Sequence, residues 1–249
     1  MMEKIIIDAH MHIGETEKNE YSYTFDSYFN YMKKNNIYKT AAMPSMSKYE
    51  KMSESNEVFI NSFNNFSQKE FFYIFLLIHP KEDKTFEQIQ NNKINGVKYH
   101  PSVTRYTIDD ISFSPFLEYC EDKRLPVLVH CGRDGVSHIK YLINAAKNHP
   151  KINFIGAHLG GNATDLIQEA LNLLYKEKIN NIYLDTSAGK MPKLIEEAVR
   201  VLGEDRIIFG SDEPYADLRI EKTCVELANI SDLIREKIFY KNILFLLGE

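Results

Sequence analysis

A chain of 249 residues, 44% hydrophobic and 26% charged, can bury a large core and has the make-up of an ordinary globular protein, at a length where an α/β barrel is commonly one domain. Its net charge of −5, with both signs mixed along the chain, provides no basic tract for nucleic acid and no polybasic segment for a membrane, so a small molecule is the expected partner. Cys120, Cys131 and Cys224 are scattered without a C-x-x-C pair, so neither a disulfide framework nor a zinc ribbon is indicated and all three read as reduced thiols. No apolar run approaches a transmembrane helix and "MMEKIIID" lacks a signal peptide's long apolar region, so a cytoplasmic location is expected; a homodimer is compatible with the composition.

The first element is "KIIIDAHMHIG", residues 4 to 14, a β-branched run that ends in Asp8, His10 and His12. Residues two apart on a strand share a face, so these three should point to one side if the extended backbone continues that far. Next comes the polar stretch from Gly14 to Tyr23, the longest loop candidate near the expected mouth, and then the helical pattern "FDSYFNYMKKNN". The second and third strands are "IYKTAAMPS" and "FFYIFLLIHP", and the fourth is "INGVKYHP", followed by a second loop from Val103 to Ser114. The helix "FSPFLEYCEDKR" leads to the strand "LPVLVHCG", and the helix "VSHIKYLINAAKNHP" leads to "INFIGAHLGG". In the next helix, "ATDLIQEALNLLYKEK", Leu166, Ala170, Leu173 and Leu174 fall on one stripe. The strand "NIYLDTSAG", the helix "MPKLIEEAVRVLG" and the strand "RIIFGSDEP" complete eight strand and helix units.

Strands alternating with helices make a parallel sheet, and eight such units in roughly 250 residues is the size of a TIM barrel. The expected fold is therefore α/β, a single-domain (β/α)8 TIM-like barrel over residues 1–249 with C-terminal helices. An open doubly wound sheet is the alternative, and the missing G-x-G-x-x-G after the first strand counts against its dinucleotide-binding form.

Six of the eight histidines, His10, His12, His79, His100, His130 and His158, fall where a strand ends. Strand C-termini of a parallel barrel meet at one rim, so these residues become neighbours there. Asp212, closing the eighth strand, adds a carboxylate. Imidazole with carboxylate suits zinc and also iron, manganese or nickel. His79 reads as structural, and His138 and His149 as solvated. Taken singly, any of these histidines is explained by a backbone partner, and Asp212 by a helix cap.

The ordered motifs "DAHMHIG", "GVKYHP", "LPVLVHCG", "FIGAHLGG", "YLDTSAG", "IIFGSDEPY" and "KNILFLLG" resemble the amidohydrolase superfamily, specifically the amidohydrolase-related branch of metal-dependent hydrolases and decarboxylases. The resemblance implies a distorted (β/α)8 barrel whose metal is held by His10 and His12 of the first strand, His130 and His158 of the fifth and sixth, and Asp212 of the eighth. It implies His158 either as a ligand or as a contact to bound water. Lys98 stands where binuclear relatives carry a bridging carboxylated lysine, yet "GVKYHP" is closer to the mononuclear form. One divalent ion, with zinc favoured, is the expected cofactor.

Asp212 and His158 are the expected catalytic residues, Asp212 moving the proton. Lys98, His100 and Arg133 are the candidates for substrate binding, Arg133 through its bidentate fork. Asp185 and Ser187 are positioned to orient a ligand histidine or the substrate, and Asp8 to support the metal ligands. The main functional expectation is hydrolysis of a lactone, amide or ester of a small acidic substrate. The alternative is non-oxidative decarboxylation of a small or aromatic acid, with Arg133, Arg105 or Lys98 holding the carboxylate and Tyr99 or Tyr106 as stacking walls. A non-catalytic metal-binding barrel is a third reading, disfavoured because Asp212 is present.

Overall fold

A computed structural model describes residues 5–16, 22–45, 51–189 and 191–249. Part of the loop from Gly14 to Tyr23 lies outside the described residues. Each apolar run becomes a strand and each amphipathic segment the helix that returns the chain: β1 (Ile7–Ile13), α1 (Phe25–Lys34), β2 (Lys39–Pro44), α2 (Met52–Asn65), β3 (Phe72–Leu77), α3 (Asp83–Asn91), β4 (Gly96–Tyr99), α4 (Pro101–Thr104) and α5 (Ser114–Lys123). The second half follows with β5 (Val127–Val129), α6 (Ile139–Asn148), β6 (Phe154–Gly156), α7 (Thr164–Glu177), β7 (Ile182–Asp185), α8 (Pro192–Leu202), β8 (Ile207–Ile208), α9 (Leu218–Leu227), α10 (Asp232–Glu236) and α11 (Asn242–Leu247).

All eight strands pair in parallel and in sequence order, the expected single-domain (β/α)8 barrel. Its closure is made by backbone bonds rather than a long ladder. Ala9 N donates to Phe209 O at 2.9 Å, Asp212 N to His10 O at 2.7 Å and His12 N to Glu213 O at 2.8 Å. The barrel interior is packed by Ile7, Ala9, Ala41, Met43, Tyr73, Phe75, Leu128, Ile155, Tyr183 and Ile208, and Ile243 and Leu246 of α11 join it. Gly96 is required there, because a Cβ would lie 2.5 Å from the Phe75 ring. A second, larger core lies between strands and helices.

Strand β1 departs from simple alternation. Its pairing with β2 slips between Asp8 and Met11, so β1 carries one residue more than its partner. Ile7 and Ala9 face the interior before the slip, whereas Met11 and Ile13 face the helices after it. The expectation that Asp8 shares the face of His10 and His12 is thereby corrected. Asp8 turns to Tyr28 of α1, and its Oδ1 accepts the His10 amide at 3.1 Å within the irregular stretch.

In α7 the buried stripe is Ile167, Ala170, Leu171 and Leu174, with Leu166 and Leu173 at its margins, a rotation from the stripe read in the sequence. The solvated reading of His138 and His149 is also corrected. His138 caps α6 by accepting from Lys140 N and lies 3.4 Å from Glu169, and His149 at the other end lies 3.5 Å from Glu121. The three cysteines are free and buried. Among the described residues no helix is long and apolar enough to cross a membrane.

Candidate active site

The C-terminal ends of β1, β4, β5, β6, β7 and β8 bring His10, His12, Lys98, His100, His130, His158, Asp185 and Asp212 to one end of the barrel. His10 and His12 are fully buried, and hydrogen bonds assign their tautomers. His10 Nδ1 lies 2.8 Å from Asp185 Oδ2 and His12 Nδ1 lies 3.1 Å from the Pro44 carbonyl. Neither acceptor has a proton to give, so both Nδ1 atoms donate and both Nε2 atoms keep their lone pairs. Those two nitrogens stand 3.3 Å apart, and Asp212 Oδ1 lies 3.2 Å from each.

Three acceptors therefore converge without a proton among them, which is unfavourable unless a cation lies close by. The edges of a tetrahedron of ligands around an ion with bonds of roughly 2.0–2.1 Å are about 3.3 Å, so the donor set fits a divalent ion. Among the described residues, His10, His12 and Asp212 are the group whose ligand atoms lie within 4.8 Å of one another. Lys98 Nζ, 2.8 Å from His10 Nε2, supplies positive charge at the same place. Burial lowers the Lys98 ammonium to about 8, with Asp212 and Asp185 pulling the other way. Burial alone would raise the Asp212 carboxyl, but His10, His12 and His158 outweigh it and hold it well below the usual carboxylate range.

His130 and His158 form a second pair rather than joining that trio. His158 Nδ1 donates to Ser187 Oγ at 2.9 Å, and that hydroxyl donates to Asp185 Oδ1. His158 Nε2 then accepts from His130 Nδ1 at 3.0 Å. Asp185 thus anchors the His10 ring directly, accepts the His158 amide at 2.9 Å and holds the His158 ring through Ser187. Strand parity would turn His158 toward the helices, since Ile155 and Ala157 line the interior. A left-handed backbone at His158, with φ 59°, returns its ring to 5.6 Å from that of His10. Asp212 has the same φ, so two candidate catalytic residues occupy a strained conformation. His100 stacks on His130 with centroids 3.9 Å apart, and its Nδ1 is a buried polar atom with no hydrogen-bond partner. Burial pushes the His100 imidazole down to about 3, keeping it neutral.

Other sequence candidates lie elsewhere. Arg133 is exposed on the rim, with Nη2 at 2.8 and 3.1 Å from the Asp165 oxygens, and exposed Arg105 lies 3.8 Å from Asp134. Tyr99 is fully buried against Phe113, which removes it as a stacking wall. His79 is half-buried, its ring edge-on to Tyr106 and its Nδ1 accepting from Lys81 N, a structural placement. Sequence reading missed Tyr215, half-exposed and edge-on to His12 at 5.1 Å, although it closes the "IIFGSDEPY" motif. It also missed Gly210, whose absent side chain makes room for His10 and Asp185.

The sequence of residues 82–248, well over half of the chain, matches the family model described as Amidohydrolase. The chain belongs to the amidohydrolase family. The match begins beyond β1, so the His10 and His12 pair lies outside it and its assignment rests on geometry. Among solved structures, this amidohydrolase is similar to 5-carboxyvanillate decarboxylase from Sphingomonas paucimobilis, with a TM-score of 0.78 at 12% identity over 98% of this chain and 99% of that one. It is also similar to a zinc-bound amidohydrolase from Burkholderia multivorans, with a TM-score of 0.75 at 13% identity over 98% and 99%. A third is a dihydroxybenzoic acid decarboxylase from Polaromonas sp. JS666 with manganese and the inhibitor 2-nitroresorcinol, with a TM-score of 0.76 at 14% identity over 98% and 97%. These likenesses are of fold. No curated protein matches the amidohydrolase in sequence.

Proposed function

We propose that this amidohydrolase-family enzyme is a divalent-metal-dependent lyase that removes carbon dioxide, without oxidation, from a small planar carboxylic acid bearing a neighbouring hydroxyl. The observation that carries the reading is Lys98, a buried cation set directly against the His10, His12 and Asp212 trio. An anion can be held there while a second oxygen meets the trio. The half-exposed Tyr215 ring and the stacked imidazoles of His100 and His130 supply flat surfaces for a planar acid. Solved decarboxylases among the fold neighbours support the same choice over hydrolysis.

His10, His12 and Asp212 would hold the ion, with zinc as the proposed metal because two imidazoles and a carboxylate are its common donors. The bound ion would draw electron density from a substrate oxygen and favour loss of that oxygen's proton. Asp212, 15% exposed, is the carboxylate within reach of substrate and takes that proton. It then returns the proton to the ring carbon as the bond to the carboxylate breaks, its electron pair passing to the ring and carbon dioxide leaving. Lys98 holds the carboxylate until it departs, and solvent restores the hydroxyl proton. His158, its Nδ1 donating to Ser187 and its Nε2 accepting from His130, lines the site beside His10 and keeps no proton for the substrate oxygen.

Hydrolysis of a lactone, amide or ester is the second reading, supported by Asp212 as a proton acceptor and by the zinc-bound amidohydrolase neighbour. Zinc-loaded protein is incubated in deuterium oxide with hydroxybenzoic acids and, separately, with lactones. Carbon dioxide release with one deuterium placed on the vacated carbon is the expected result. Ring opening of lactones with no carbon dioxide from any acid would replace the lyase reading by the hydrolytic one.

A further inference from the structure

Asp212 keeps a left-handed backbone, which a residue other than glycine does only where its surroundings over-determine it. Both of its chain neighbours are tied down. Ser211 donates its amide to Asp8 Oδ1 at 2.9 Å and its hydroxyl to Asp8 Oδ2 at 2.6 Å. Glu213 donates its amide to Ser211 Oγ at 3.1 Å, and its carbonyl accepts His12 N at 2.8 Å. The buried Glu213 carboxylate accepts from Tyr23 at 3.1 Å, from Leu218 N at 2.8 Å and, at a longer 3.5 Å, from Tyr31. Asp8 in turn accepts the Tyr28 hydroxyl at 3.2 Å.

The three tyrosines come from α1 and the residue pair before it, and their rings pack together with centroids 5.3, 5.5 and 6.1 Å apart. Phenylalanine would serve as well if packing were their whole purpose. Instead, three hydroxyls are directed to the two carboxylates that fix the residues on either side of Asp212. Resting on the metal reading above, we propose that Tyr23, Tyr28 and Tyr31 act through Glu213 and Asp8 as a positioning clamp that holds the Asp212 carboxylate against His10 and His12. None of the three touches the ligand atoms, so they are positioning residues.

The test is the pair of changes Tyr23→Phe and Tyr31→Phe, which keeps both rings and removes two donors, with Tyr28→Phe as a separate arm acting through Asp8. Two measurements are made: zinc affinity by titration, and amide hydrogen exchange at Ser211, Asp212 and Glu213 in metal-free protein. Zinc affinity should fall roughly tenfold to a hundredfold, as it does when groups supporting metal ligands are removed. In an Asp212→Asn background the same pair should change affinity less than about threefold, since a clamp acting through that carboxylate has nothing left to position. The three amides should exchange about tenfold faster while those of β3 to β5 keep their protection. Unchanged exchange at these amides overturns the clamp, and so does an equal loss of affinity with and without the Asp212 carboxylate. A parent protein that takes up no zinc defeats the metal reading, and the exchange comparison alone then decides the clamp.

Discussion

At Gly210 an added methyl group would lie 3.0 Å from His10 Cβ and 3.2 Å from Asp185 Cβ, closer than a packed site accommodates without movement. Both neighbours are side chains whose mutual bond fixes the His10 tautomer. Gly210→Ala should therefore weaken zinc binding by about tenfold or more while the fold survives, read by titration alongside circular dichroism. Undiminished affinity would mean that His10 and Asp185 can shift together. Asp212→Asn separates two other roles. His10 and His12 remain as ligands, but an amide cannot accept the proton that either chemistry moves, so turnover should fall by about a hundredfold or more and by a larger factor than metal affinity. Near-normal turnover at neutral pH would remove Asp212 as the proton carrier. His10, His12 and Asp212 were legible because chemistry-bearing residue types stood at strand ends. Gly210 and Tyr215 were not, because a missing side chain and a ring beyond a strand carry no periodic signal.

The eight strands and five of the helices between them were legible in order and type, since apolar runs with helical patterns between them leave few alternatives, whereas α2 and α3 were not singled out. What a strand or helix presents at a given residue was less so. A single extra residue in β1 moves Asp8 to the helix side while His10 stays inside, and alternation cannot signal a bulge. The left-handed residue after β6 likewise redirects His158 against parity, whereas Asp212 shares the parity of interior Ile208. In α7 the difference is one of rotation: Leu171 is 1% exposed, whereas Leu173 sits at the margin of the stripe. Leu171→Ala should lower stability by about 2–5 kcal/mol and Leu173→Ala by well under half as much, compared by denaturant unfolding. Equal losses, or a larger one at Leu173, would contradict the orientation of this helix.

The whole barrel has a seam, and the candidate metal site spans it. Strands β1 and β8 lie at the two ends of the strand order, β8 is two residues long, and the chain bridges them through a few backbone bonds from Ala9, His12 and Asp212. His10 and His12 stand on one side of this seam and Asp212 on the other, while Asp185 of β7 holds His10 from behind. An ion bound by the trio joins the two ends of the sheet, so its binding energy adds to the stability of the closed barrel. At a free zinc concentration near one hundred times Kd, the added stability is about 2.7 kcal/mol. For a domain of this size that corresponds to a rise in Tm of about 5–10 °C, which a chelator should reverse. Asp212→Asn leaves both remaining ligands on one side, so its Tm should respond to zinc by less than half of the parent's shift at the same free concentration. An equal shift in the variant would show that zinc stabilises the barrel from somewhere other than the seam.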